Sequence, residues 1–138
     1  MVIYSDSLIY LDYDPKTDIL WVKWPNLVDE PMLIVKPTIE KIPETIKYFH
    51  VSKLLVDTKN TNTNIPEEEF KRMSKEFVEA LSTSNLKKVA RVVYAEPLRE
   101  LRAKILLDDL SAWLAPDLKI REFQDVKSAF AWLESEEE

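Results

Sequence analysis

The chain contains no glycine. Glycine is the residue that takes positive φ without steric cost and lets a backbone approach a phosphate closely. Its absence excludes the Walker-type loop, the dinucleotide fingerprint and the kinase-type glycine loop together. It also excludes the nucleophile elbow of α/β hydrolases. A turn that needs positive φ must use Asn or Asp instead, and Asn26, Asn60, Asn62 and Asn85 are the residues expected to serve. Two other counts narrow the chemistry further. There is no cysteine, hence no disulfide, thiolate nucleophile or cysteine metal site, and the single histidine, His50, excludes a multi-histidine metal centre. No metal and no cofactor is expected.

The length of 138 residues and an apolar content of 46% suit one domain with a core that needs no covalent staple. Residues 1–133 read as that domain and residues 134–138, Glu-Ser-Glu-Glu-Glu, as an acidic frayed tail. The net charge of −6 argues against nucleic acid, which needs a basic face. Lys87, Lys88 and Arg91 form the nearest thing to a basic cluster and read as solvated charges flanking a strand. No run approaches the ~18 apolar residues of a membrane span, and the opening MVIYSDSLIYLDYD lacks the basic and apolar regions of a signal peptide. A cytoplasmic location is the resulting expectation.

Periodicity supplies the elements. Strands are expected at residues 8–13 and 19–24, joined through Asp14-Pro15-Lys16-Thr17-Asp18 as an antiparallel hairpin. Alternation sets Leu20, Val22 and Trp24 on one face of the second strand and Ile19, Trp21 and Lys23 on the other. A tryptophan on each side implies that neither face is fully wet. Val35, Ile39, Ile42, Ile46 and Phe49 make a stripe of helical period. That predicts a helix over 37–49, with Pro37 in its first turn and a bend near Pro43. Strands at 52–57, 87–94 and 118–123 alternate with helices at 66–81, from Pro97 towards Leu110 with a tail to Leu114, and from the Asp125 cap to Leu133. The order ββαβαβαβα implies an α/β fold with a mostly parallel mixed sheet, an N-terminal antiparallel hairpin and four helices.

Four segments, YLDYDPKTDILWVKW, KLLVDTKN, KKVARVVYA and IREFQDVKSAFAWL, give a pattern that resembles the STAS-like fold of the SpoIIAA-like family. That family comprises anti-sigma-factor antagonist domains and their small stand-alone bacterial relatives. The resemblance runs through most of the chain. It implies a non-enzymatic regulatory role exercised through protein contacts, with some relatives of the fold binding nucleotides or lipids. The antagonist branch carries a phosphorylatable serine in an Asp-Ser-Ser-Gly motif at a helix start. This chain has Thr61-Asn62-Thr63-Asn64-Ile65-Pro66-Glu67 at the comparable place, so no phosphoacceptor or catalytic residue carries over.

The candidate site follows from the rule that open parallel sheets bind ligands beyond the carboxyl ends of their strands. Those ends supply Asp57, Thr58 and Asn60 after one strand and Tyr94 and Glu96 after the next, with Thr61 and Thr63 in the adjoining loop. Asp57 with Glu96 forms an acid/base pair on the enzymatic reading; on the structural reading Asp57 fixes a turn and Glu96 opens a helix. Glu67, Glu68 and Glu69 already complement the positive end of the next helix and would repel an incoming phosphate. His50 reads as a connecting or capping residue. The four tryptophans, Trp21, Trp24, Trp113 and Trp132, read as core or core-edge residues; Trp21 or Trp24 would mark a protein interface if the hairpin exposes it, and the family resemblance with the hairpin's two-sided apolarity points to a homodimer. The favoured expectation is a non-enzymatic interaction domain that binds a protein or a small or apolar ligand. The alternatives are a hydrolase built on Asp57 and Glu96, and a lipid carrier with a void between sheet and helices.

Overall fold

The computed structural model describes residues 2–6, 8–24, 30–58, 66–93, 110 and 112–135. They form β1 (Val2–Ser5), β2 (Tyr10–Asp14), β3 (Ile19–Lys23), α1 (Met32–Phe49), β4 (Lys53–Asp57), α2 (Glu67–Ser82), β5 (Lys88–Val92), β6 (Lys119–Phe123) and α3 (Val126–Glu134). Residues 112–114 are helical as well, and most of the helix expected from Pro97 lies outside the described residues. The six strands make one mixed sheet in the order β1-β2-β3-β4-β5-β6. The first three are antiparallel neighbours, and β3 through β6 run parallel. The α/β class, the hairpin and the parallel half therefore hold.

Two features depart from the sequence reading. The first is β1, an edge strand that the expected order lacks. It forms because Asp6 builds a turn on its own side chain: its carboxylate accepts the amides of Leu8 and Ile9 at 2.7 and 2.8 Å and the Tyr4 hydroxyl at 2.7 Å. Those bonds, led by the Ile9 amide, hold the Asp6 carboxyl below its ordinary value. The second is the start of α1. The helix begins at Met32, so Pro37 lies past its first turn and Pro43 deep inside it. Tertiary packing overrides the prolines. Val35, Thr38, Ile39, Ile42, Pro43 and Ile46 form its buried face, and Pro43 itself packs in the groove against α2.

The strands alternate as a two-sided buried sheet requires. Leu20, Val22, Leu54, Val56 and Val89 face Ile42, Ile46 and Leu81 in one core layer, beneath α1 and α2. Ile19, Leu55, Ala90 and Val92 face Ala129, Trp132 and Leu133 in the other, beneath α3. The crossover helices α1 and α2 thus lie on the same face, and the parallel strands step in one direction across the sheet.

Without glycine, the positive-φ positions among the described residues are Asp18 at 59° and His50 at 55°. Asp18 confirms that an aspartate can serve in such a turn. Asn85, expected for that role, is not among them, and Asn26, Asn60 and Asn62 lie outside the described residues. His50 takes the place usually given to glycine at a helix C-terminus: it sits in the left-handed region and its amide caps α1 on the Ile46 carbonyl.

Candidate functional site

The carboxyl ends of the parallel strands come first, because the sequence points there. Asp57 and Thr58 end β4, and both are buried, Asp57 at 9% exposure. The Asp57 carbonyl accepts the Trp24 amide at 2.8 Å. Thr58 is tied to the next strand: its hydroxyl donates to the Val92 carbonyl at 2.6 Å and its amide to the same oxygen at 3.1 Å. The Asp57 position shares its face with Leu55, beside Lys23 on β3 and Val92 on β5 in the register. Asn60, Thr61, Thr63, Tyr94 and Glu96 lie outside the described residues, so the Asp57 and Glu96 pairing does too.

Monotonic strand order bears on this end directly. The ligand crevice of doubly wound sheets opens where neighbouring crossovers pass to opposite faces. Here α1 and α2 both cover one face, so no such switch point lies between β3 and β5.

The tryptophans divide. Trp24 packs edge-on against Phe77 of α2, with ring centroids 5.5 Å apart. Trp21 packs edge-on against Phe130 of α3 at 5.8 Å and against Tyr10 at 6.4 Å. Both are partly buried, as core-edge residues. The indole nitrogens of Trp21 and Trp132 are buried with no hydrogen-bond partner. Trp113 contradicts the core-edge expectation: it is 83% exposed. Ala115, just after that helical turn, is buried instead. Leu33, at 84%, and Ile34, at 42%, stand exposed side by side in the first turn of α1. Nothing in the sequence singles them out, because they precede Pro37, where the helix is expected to begin.

A second locus lies at the opposite, amino end of the parallel strands. An open depression of about 590 Å³ spans the residues that precede β4, β5 and β6. Its floor includes Leu81, Leu86 and Ala115, all buried, and Asn85 on its rim donates its amide to His50 Nδ1 at 3.2 Å. Beside it, Asp18 draws three groups together. Tyr13 donates its hydroxyl to Oδ1 at 2.7 Å, and Ser52 donates both its amide and its hydroxyl to Oδ2. Burial, then the hydrogen bond and charge of Asp18, push the Tyr13 phenol up to about 12. The groove between α1 and α2, by contrast, holds about 60 Å³, about a tenth of that depression.

Among the described residues no three His, Cys, Asp or Glu side chains converge on a metal-sized site. None of their helices is long and apolar enough to cross a membrane. No family model matches the chain, and neither the curated proteins nor the solved structures contain a match.

Proposed function

We propose that the protein is a non-enzymatic, STAS-like interaction domain that acts through its surface on a protein partner. The single observation that carries this reading is the shared face of α1 and α2. With both helices on one face, the described strands β3, β4 and β5 hold no topological switch point, the place where a doubly wound sheet opens its ligand crevice. Thr58 supports the same reading, because its hydroxyl proton is already held by Val92. The exposed pair Leu33 and Ile34 supplies apolar surface for a contact.

The competing reading is a hydrolase working through Asp57 and Glu96. Turnover of ester, phosphoester and amide substrates by the native chain and by Asp57→Asn separates the two. The interaction reading expects background rates from both proteins. Turnover by the native chain that Asp57→Asn abolishes, with the fold intact, would overturn it.

A further inference from the structure

We infer that the depression at the amino ends of β4, β5 and β6 is a binding site for a small organic cation rich in N–H donors, an ammonium or guanidinium compound. It lies at the other end of the strands from Asp57 and stands whether or not Leu33 and Ile34 engage a partner.

The groups left open on the rim set the chemistry of its ligand. Among the described residues the rim's polar side chains are Ser52, Ser82, Ser84, Asn85, Lys87 and Asp117. A serine hydroxyl has one proton and two lone pairs, and all three protons are already placed. Ser52 donates to Asp18, Ser82 to the Glu79 carbonyl at 2.6 Å, and Ser84 to the Leu81 carbonyl at 2.6 Å. In this arrangement the hydroxyls turn lone pairs to a ligand, and Ser84 Oγ already accepts the Leu86 amide at 3.2 Å. Asp117 adds an exposed carboxylate. Asn85 gives an N–H to His50 and keeps its amide oxygen. Lys87 is the one cationic side chain among the described lining residues.

The backbone has the same sign. Helix α2 ends at this rim, and the carboxyl end of a helix carries about half a negative charge. No basic residue stands in its last turn to offset that charge. The neighbouring lysines do not fill the role. Lys53, Lys88 and Lys119 are register partners in one row, on the opposite face of the sheet from the Leu81 layer, and Lys88 is held there by the Trp132 and Ser135 carbonyls. An acceptor-rich rim with a negative helix end selects a donor-rich cation. The volume of about 590 Å³ lies within the range of small-molecule sites.

The test is an amide-resolved NMR titration of the full chain with agmatine, which carries a guanidinium and an ammonium, and with sorbitol as a neutral donor-rich control. Agmatine is expected to shift the amides of residues 84–87 and 113–118 saturably, and sorbitol is not. Asp117→Asn is expected to weaken agmatine binding about three- to fivefold, the size of one exposed charge contact. Asp14→Asn, which removes an equal charge outside the depression, is expected to leave it unchanged. The unliganded spectrum of each variant reports whether it folds. Shifts spread over the acidic surface, equal loss in both variants, sorbitol binding as well as agmatine, or no saturable shift would each overturn the assignment.

Discussion

Tyr13 donates its hydroxyl to Asp18 Oδ1 at 2.7 Å, and through Asp18 the β2–β3 turn is tied to Ser52 at the start of β4. The turn that the sequence marks by its Pro and Asp residues is thus also a crosslink between the antiparallel and parallel halves of the sheet. The Tyr13 phenol is raised in the folded state, from an ordinary value of 10 to about 12. A raised folded value means that its contribution to stability is complete below pH 10 and is lost as pH climbs towards 12. Chemical denaturation of the native chain and of Tyr13→Phe between pH 8 and 11.5 measures this. The variant is expected to be less stable by about 1–3 kcal/mol at pH 8, and the gap is expected to narrow above pH 10.

His50 closes α1 with φ 55° and ψ 44°. Left-handed backbone costs an ordinary residue roughly 1–2 kcal/mol, and a β-branched one crowds it most. His50→Gly is therefore expected to match or exceed the native chain in thermal stability. His50→Val is expected to fall below it by about 1–2 kcal/mol.

Lys88 Nζ donates to the carbonyls of Trp132 and Ser135 at 3.3 and 2.9 Å and sits 5.0 Å from the centre of the Trp132 ring. A strand residue thereby supplies the positive charge that α3 lacks in its own last turn. Lys88→Met is expected to destabilise the fold by about 1 kcal/mol. Hydrogen exchange is expected to show faster opening of α3 with little change in β4. Uniform acceleration throughout the sheet would show that Lys88 is not specific to α3.

Arg91 and Glu122 pair across β5 and β6 at 3.3 Å, with side chains 11% and 27% exposed. Removing one partner leaves the other charge half-buried, whereas replacing both with apolar residues does not. Arg91→Met alone, which leaves the Glu122 carboxylate behind, is expected to destabilise more than the double change with Glu122→Leu, as read by urea unfolding.

The apolar patterns carried most of the fold. Runs such as Leu54-Leu55-Val56 and the alternation in residues 119–123 are fixed by local burial, and their strands stand where expected. β1 was not legible because four residues next to a polar turn give too little periodicity; its cause is the Asp6 side chain. The start of α1 was hidden by Pro37, whose local penalty is outweighed by the buried stripe that begins at Val35. Strand order was the costlier gap. The rule that directed attention to Asp57 depends on crossover helices taking opposite faces, and sequence periodicity does not encode which face a helix takes. Trp113 was misplaced for a related reason, since a short amphipathic segment does not reveal how it will be rotated.

Native mass spectrometry of the chain purified gently from its own host tests the proposed binding surface most directly. The predicted result is a noncovalent partner protein on the native chain that is lost when Leu33→Glu and Ile34→Glu are introduced together. A bare native chain, accompanied by turnover that Asp57→Asn removes, would contradict it.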